Sequence, residues 1–114
     1  MSDSPDRTNI ARTVYRAFAA GERQVIEGLF APDFVFFSPP DPGLDREGYF
    51  EKCWPNAGKG NQFEFVRLIE SGDEVIVTYE ATRDDGSQFR NTEVLRFDGE
   101  KIVKVEVYFG WNLD

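Results

Sequence analysis

Hydrophobic positions in the first half of the chain recur at helical spacing. A first helix is predicted to end near Ala20, and its apolar residues fall at i, i+4, i+7 and i+8. These residues are Ile10, Val14, Ala17 and Phe18. Residues 4–6, with the sequence Ser-Pro-Asp, are typical of a helix start, and Gly21 is typical of a helix end. We therefore expect the apolar stripe to face a core.

Two more helices and one strand are predicted before the pattern changes. A short helix fits residues 22–30, until a Pro-Asp pair ends the helical spacing. Residues 34–38 are aromatic and β-branched, which favours a strand, whereas the prolines in residues 38–43 favour an ordered loop. Asp45 is expected to cap a third helix that Pro55 ends. One face of this helix carries Tyr49, Phe50, Cys53 and Trp54.

From residue 62 onward the hydrophobic period is two, which predicts strands. The strands are expected at residues 63–70, 74–83, 88–97 and 101–109. Asp-Gly and Gly-Asp turns connect them, which is typical of an antiparallel meander. Helices first and strands last predict an α+β fold, with three helices packed on a curved, mostly antiparallel sheet. A length of 114 residues favours one domain that spans residues 1–114.

Composition narrows the classes of function. The chain has 21 acidic and 13 basic residues and a net charge of −8, which argues against nucleic acid and anionic membranes as partners. It has no long apolar stretch and no signal-peptide core, so we expect a cytoplasmic protein. Histidine is absent and Cys53 is the single cysteine, which disfavours zinc sites and Ser/His or Cys/His catalysis. No metal or cofactor is expected, and acid/base chemistry would come from carboxyl, Tyr, Lys or thiol groups.

Four segments of the chain carry a resemblance to a known superfamily. They are Ala19-Ala-Gly-Glu22, Leu29-Phe-Ala-Pro-Asp33, Leu95-Arg-Phe-Asp-Gly99 and Lys101-Ile-Val-Lys-Val-Glu-Val-Tyr-Phe-Gly110. Together with the order of elements, they resemble the nuclear-transport-factor-2-like superfamily, in the branch of ketosteroid isomerases and SnoaL-like polyketide cyclases. The resemblance covers nearly the whole chain and implies a cystatin-like cone around a pocket. Because the superfamily includes enzymes of several kinds and non-catalytic domains, it implies no particular reaction.

The isomerase branch uses three polar side chains in its pocket. They are a Tyr on the first helix, an Asp at the end of the first strand and an Asp in the next-to-last strand. The resemblance places Val14, Ser38 and Glu93 at these positions, so steroid isomerase activity is not expected. Tyr15 follows Val14 and is expected to lie about 100° off the apolar stripe, where it cannot replace the missing Tyr.

Glu93 is the first candidate for chemistry. Alternation along its strand places Glu93 and Asn91 on the same face, which we expect to be the pocket wall. That face also carries Leu95 and Phe97, and the last strand is expected to add Val103, Val105, Val107 and Phe109. A carboxyl among such neighbours would be held protonated near neutral pH and would suit proton transfer. The alternatives are a reversed strand face or an ion pair with Arg67 or Arg83.

The remaining candidates have a structural and a functional interpretation each. Tyr79 is either a pocket hydroxyl or a core residue bonded at the rim. Val14 and Phe18 on the first helix, with Phe50, Cys53 and Trp54 on the third, form either an apolar pocket floor or plain core. For Cys53 a small buried hydrophobic residue is the default. Trp111 either closes the pocket, meets a partner subunit or anchors the C-terminus.

Two hypotheses of function follow. In the first, the protein is a cofactor-free isomerase, cyclase or hydratase that acts on an apolar small molecule. Glu93 is then the acid/base, and Asn91, Ser38 and Tyr79 orient the ligand. In the second, the same fold is a non-catalytic binding or dimerisation module. A homodimer through the sheet is expected in either case, because apolar residues of its outer face would otherwise meet water.

Overall fold

The computed structural model describes residues 6–59 and 61–113. The helices are α1 (Arg7–Ala20), α2 (Arg23–Leu29) and α3 (Arg46–Lys52), and a 3₁₀ turn follows at Trp54–Asn56. The strands are β1 (Phe30–Phe37), β2 (Pro42–Asp45), β3 (Gln62–Ser71), β4 (Glu74–Thr82), β5 (Gln88–Asp98) and β6 (Lys101–Asn112). Three helices packed on one sheet confirm the predicted α+β class. No helix in the described part of the chain is both long and apolar enough to cross a membrane.

The six strands form one sheet in the order β2-β1-β6-β5-β4-β3. Strands β3 to β6 are the predicted antiparallel meander, and β1 joins it by pairing with β6 in parallel. Every other pair is antiparallel, so the sheet is mostly antiparallel, as expected. Helix α1 packs against β3 and β4, and α3 packs against β1. The face of the sheet that meets the helices is called the inner face below.

Both ends of α1 have side-chain or backbone caps. The Asp6 carboxylate accepts hydrogen bonds from the backbone N–H groups of Thr8 and Asn9, so Asp6 is the N-cap. Of the predicted start, Ser4 and Pro5 lie outside the described residues. Gly21 ends the helix with φ 75°, a left-handed conformation that favours glycine.

Several predicted boundaries between residues 22 and 56 are wrong. The second helix ends at Leu29, because Phe30 begins β1 and stacks on Phe34 at 3.9 Å between ring centroids. The expected loop at residues 38–43 gives way to β2 after a tight turn, in which Ser38 and Asp41 exchange two backbone hydrogen bonds. The third helix stops at Lys52, and Pro55 lies inside the 3₁₀ turn that follows it.

The core lies between the helices and the inner face of the sheet. Its largest fully buried side chains are Phe34, Ile26, Leu95, Ile102, Val75 and Val77. The prediction that Val103 shares this face with Val105 is wrong. The register shifts between Arg96 and Phe97, so Ile102 lies opposite Phe97 and Val103 is only half-buried. This irregularity is typical of a β-bulge.

Candidate functional site

A cavity of about 260 Å³ opens between α1 and the inner face of the sheet. Most of its lining is apolar or aromatic: Val14, Phe18, Phe30, Phe63, Phe89, Leu95, Val105 and Phe109. Its polar side chains are Tyr15, Tyr49, Asn61, Tyr79, Arg83, Asn91 and Glu93. The volume is slightly below the usual range for small-molecule sites, and an apolar wall with a few polar groups is typical of such sites.

The Glu93 carboxyl is the centre of the polar group. Glu93 lies on β5 between Val77 of β4 and Val107 of β6. Its Oε1 accepts a hydrogen bond of 2.8 Å from the Tyr15 hydroxyl, and its Oε2 accepts one of 2.6 Å from the Tyr79 hydroxyl. Protein atoms surround the carboxyl, and Glu93 forms part of the cavity lining. A carboxyl is thus held by two hydroxyls at an apolar wall.

The position of Tyr15 corrects the expectation that it points away from the core. Tyr15 is buried, and its ring packs edge-on against Phe63 at 5.5 Å and lies 5.3 Å from the ring of Tyr79. The buried stripe of α1 is centred on Ala11, Val14 and Tyr15, at i, i+3 and i+4. Because β3 covers this side of the helix, the apolar face is wider than the predicted stripe. The sequence holds this signal, since Ala11 and Phe18 flank Tyr15 at helical spacing.

A second set of hydrogen bonds links Tyr79 to Asn91 and Asn91 to the backbone of β6. The Asn91 amide Nδ2 lies 3.4 Å from the Tyr79 hydroxyl, and the Asn91 Oδ1 accepts from the backbone N–H of Gly110 at 3.2 Å. Gly110 lies where the β5–β6 register shifts. A Cβ atom there would be 2.2 Å from the Arg90 carbonyl oxygen, so only glycine fits. The bulge in β6 therefore orients Asn91.

Burial dominates the electrostatics of this site. Desolvation raises the pKa of Glu93 above its usual value, and the hydrogen bonds from Tyr79 and Tyr15 partly oppose that rise. Desolvation and the nearby Glu93 carboxyl raise the pKa of Tyr79 and of Tyr15, so both hydroxyls stay protonated. Among the described residues no cation lies within 4 Å of the Glu93 carboxyl, so the alternative ion pairs with Arg67 and Arg83 do not form.

This arrangement is suited to holding or moving one proton. When Glu93 is ionised, its two oxygens accept the two tyrosine hydrogen bonds and retain lone pairs for a ligand. When it is neutral, one oxygen donates, and the tyrosine that faced that oxygen is free to donate to a ligand. Within residues 6–59 and 61–113, no three Asp, Glu or Cys side chains cluster as metal ligands.

The structure brings some of the predicted residues to the cavity and leaves others behind it. Glu93, Tyr79, Asn91, Val14, Phe18, Val105 and Phe109 line the cavity. Ser38, Phe50, Cys53, Trp54 and Trp111 do not. Trp54 packs edge-on against Phe18 at 5.8 Å and so forms a second layer, and Ser38 lies in the turn before β2. Cys53 is half-buried, and desolvation raises the pKa of its thiol to about 11.

Besides Tyr15, six lining residues were not predicted as part of the pocket: Phe30, Tyr49, Asn61, Phe63, Arg83 and Phe89. Phe63 and Phe89 occupy inner positions of β3 and β5, which the period of two in those strands could have indicated. Asn61 precedes β3 in an irregular segment, and no pattern in the sequence marks it.

Comparison with solved structures shows the same fold. A nuclear-transport-factor-2-like protein of unknown function from Cytophaga hutchinsonii ATCC 33406 is 14% identical over 96% of this chain and 95% of that chain, with a TM-score of 0.78. A protein provisionally named a ketosteroid isomerase, from Kribbella flavida DSM 17836, is 16% identical over 100% of this chain and 84% of that chain, with a TM-score of 0.81. IdmH from Streptomyces antibioticus, provisionally named a polyketide cyclase, is 20% identical over 91% of each chain, with a TM-score of 0.68.

Sequence comparison gives the family. No protein with a curated description is significantly similar to the chain. The model of the SnoaL-like domain family matches residues 11–105, which include most of α1, most of the sheet and both of the tyrosines that hydrogen-bond to Glu93. This chain therefore belongs to the SnoaL-like domain family of the nuclear-transport-factor-2-like superfamily.

Proposed function

We propose that the protein binds an apolar small molecule in the cavity and transfers a proton on it without a cofactor, with Glu93 as the acid/base. The observation that carries this proposal is the Glu93 carboxyl at an apolar cavity wall, held by two tyrosine hydroxyls and with no described cation within 4 Å. Because its hydrogen-bond partners are neutral, this carboxyl can gain or lose a proton without leaving a paired charge unbalanced. This is the property that a general acid or base needs.

The step that fits this geometry is proton abstraction beside a carbonyl. Ionised Glu93 takes a proton from the carbon next to the ligand carbonyl, and the C–H electron pair forms an enolate. Neutral Glu93 then releases one tyrosine from its hydrogen bond, and that hydroxyl donates to the enolate oxygen. Return of the same proton to a carbon of the ligand completes an isomerisation. The asymmetry of the two bonds, 2.6 Å for Tyr79 and 2.8 Å for Tyr15, favours release of Tyr15.

Proteins of the same fold support this class of reaction. Two of the structural neighbours carry the provisional names ketosteroid isomerase and polyketide cyclase. The Tyr15–Glu93 pair joins the first helix to the next-to-last strand, which are the two elements that supply a Tyr and an Asp in the isomerase branch. The retained pair favours an enzyme.

A non-catalytic ligand-binding module is the second candidate. Glu93 is the one acidic side chain among the described residues that line the cavity. Ser38, which stands where the isomerases have their Asp, lies in a turn outside the lining. A site with a hydrogen-bonding group and no second carboxyl suits binding as well as catalysis.

We also propose that the protein is a cytoplasmic homodimer that pairs through the outer face of its sheet. Exposed apolar residues on or beside that face include Ile69, Tyr108 and Trp111, with exposed fractions of 49%, 54% and 62%. A free thiol at Cys53 fits a reducing compartment. Light scattering should give a mass near twice the 13.1 kDa of one chain, and a mass of one chain throughout a dilution series would contradict the dimer.

Hydrogen–deuterium exchange tests the proposed proton transfer. 2-Tetralone, an apolar bicyclic ketone, exchanges its α-protons slowly in D₂O, and NMR follows that exchange directly. The protein should accelerate the exchange, and Glu93→Gln should lower the acceleration roughly 10²- to 10⁴-fold. Glu80→Gln, which removes a carboxyl from the outer face, is the matched control and should leave the rate within about twofold.

The same experiment separates the two candidates. If 2-tetralone binds but the protein and Glu93→Gln exchange it at the rate of buffer, the binding module is the better account. If Glu93→Gln retains the full acceleration, another group is the base and the proposed role of Glu93 is wrong.

A further inference from the structure

The mouth of the cavity carries a cation at the opposite end from Glu93. Arg83 lies there beside Asn61, Phe63 and Phe89, and a groove of about 340 Å³ begins at the same four side chains. Arg83 is the one cationic residue among the described residues of the cavity lining. The groove beyond adds Lys59 and Asp84. The cavity therefore has an acid at one end, a cation at the other and an apolar wall between.

The Arg83 guanidinium is held in place and keeps free donors. Its central carbon lies 4.1 Å from the centroid of the Phe89 ring, so the planar group is held over an aromatic face. One nitrogen lies 3.2 Å from the Ser87 hydroxyl, which itself donates to Asp85. A guanidinium has five N–H donors, so most of them stay available.

Arg83 differs from Arg90 and Arg96 of the meander in having no described acidic partner within 4 Å. Arg90 pairs with Glu80 and Arg96 pairs with Asp73, whereas no described acidic side chain lies within 4 Å of Arg83. Arginine in a fixed orientation is the preferred partner of a carboxylate, because its planar fork matches the two carboxylate oxygens.

The strand register places the two charged groups in line. On the inner face, Val77 pairs with Glu93, Tyr79 with Asn91 and Ala81 with Phe89, and Arg83 follows at the next inner position. Arg83 follows Val77 by six positions, which is about 20 Å of extended backbone. The side chains shorten this separation, since Tyr79 reaches Glu93 and Arg83 lies over Phe89.

We infer that the ligand is an apolar, flat molecule that carries a carboxylate at one end and its reacting carbonyl or hydroxyl group at the other, and that Arg83 selects it by binding the carboxylate at the cavity mouth. This inference rests on the proposed function. A net charge of −8 repels anions from most of the surface, so an anionic ligand needs a local cation at its entrance. Arg83 is then a specificity-determining residue, and Glu93 acts on the far end of the same ligand.

Two probes that differ in one carboxylate test the inference. Fluorescence titration should show that the protein binds 6-hydroxy-2-naphthoate roughly tenfold more tightly than 2-naphthol. Arg83→Gln should bring the two dissociation constants together, because it weakens the binding of the naphthoate and not that of 2-naphthol. Arg23→Gln is the matched control, because Arg23 also lies over a ring, that of Phe50 at 4.5 Å, but outside this cavity. It should keep the tenfold preference.

Each outcome bears on a different claim. Equal affinity of the native protein for both probes, or a preference that survives in Arg83→Gln, would overturn the role of Arg83 and leave the proposed function standing. Binding of neither probe would overturn the proposed function, and this inference with it. Because Arg83 is exposed, loss of folding is not expected, and a circular dichroism spectrum and melting temperature of Arg83→Gln that match those of the native protein verify the fold of the variant.

Discussion

Two glutamates on neighbouring strands of the same sheet have opposite surroundings. Glu80 of β4 lies on the outer face, where it pairs with Arg90 of β5, and both side chains are partly exposed. Glu93 of β5 lies on the inner face, where its partners are the neutral hydroxyls of Tyr15 and Tyr79. The outer carboxylate is balanced by a fixed charge of opposite sign, and the inner carboxyl is not.

This difference distinguishes a carboxylate in a structural ion pair from a carboxyl suited to proton transfer. A partly exposed ion pair such as Glu80–Arg90 contributes little to stability, about 1 kcal/mol or less. A carboxyl that is desolvated and bound only by hydroxyls has a raised pKa, because burial disfavours its ionised form. The predictions below alter the inner site and compare it with positions elsewhere in the molecule.

The largest effect is expected from Gly110→Ala, which disrupts the support of the inner site. A Cβ atom at this position would lie 2.2 Å from the Arg90 carbonyl oxygen, so the backbone must move and the bond to Asn91 is lost. We expect a loss of about 2–3 kcal/mol in the free energy of unfolding, measured with denaturant. Gly28→Ala is the control, because Gly28 lies in α2 with no atom within 4 Å of an added Cβ. That variant should be unchanged or more stable by up to about 1 kcal/mol, and equal behaviour of the two variants would refute the close approach at Gly110.

The stability of the native protein relative to Glu93→Gln should depend on pH. The folded pKa of Glu93 is raised, so the folded state holds the proton more tightly than the unfolded chain does. The stabilisation that protonated Glu93 gives the folded state is complete below the unfolded pKa of about 4.3. It is lost as the pH rises through the folded pKa. Subtracting the curve of Glu93→Gln cancels the titration of the other groups. A difference that grew in favour of the native protein with rising pH would mean a depressed pKa.

Smaller effects on Glu93 itself are expected when either tyrosine loses its hydroxyl. Tyr79→Phe and Tyr15→Phe each remove a hydrogen bond that lowers the pKa of Glu93, so both variants should raise that pKa. The rise should be larger for Tyr79→Phe than for Tyr15→Phe, because the bond from Tyr79 is shorter. Tyr108→Phe on the outer face is the control and should leave the pKa of Glu93 unchanged. A fall in the pKa of Glu93 in either variant would contradict the assigned hydrogen bonds.

The fold and the site differ in how far the sequence predicts them. The meander follows from the period of two and its Gly-bearing turns, and the class of fold follows from helices that precede strands. Strand β2 was missed because four residues, two of them Pro and Gly, carry no periodic pattern. The end of α3 was misplaced because a 3₁₀ turn accommodates Pro55 at its start.

Within the site, alternation along β5 indicates the face on which Glu93 and Asn91 lie. The partners of Glu93 depend on packing between distant segments, since Tyr15 is 78 residues away in sequence. The width of the buried face of α1, and the bulge that turns Gly110 toward Asn91, arise only when helix and sheet come together. Sequence periodicity predicts the face of the sheet on which a side chain lies, but it does not predict which distant residue will hydrogen-bond to that side chain.

The most direct test of the central claim is the titration of Glu93 by carbon-13 NMR of its carboxyl group, with Glu93→Gln used to assign the signal. If the carboxyl is held by tyrosine hydroxyls in an apolar cavity, its pKa lies clearly above the ordinary value of about 4.3. A pKa at or below that value would mean that a charge or solvent stabilises the ionised form, and the account of Glu93 as an acid/base would be wrong.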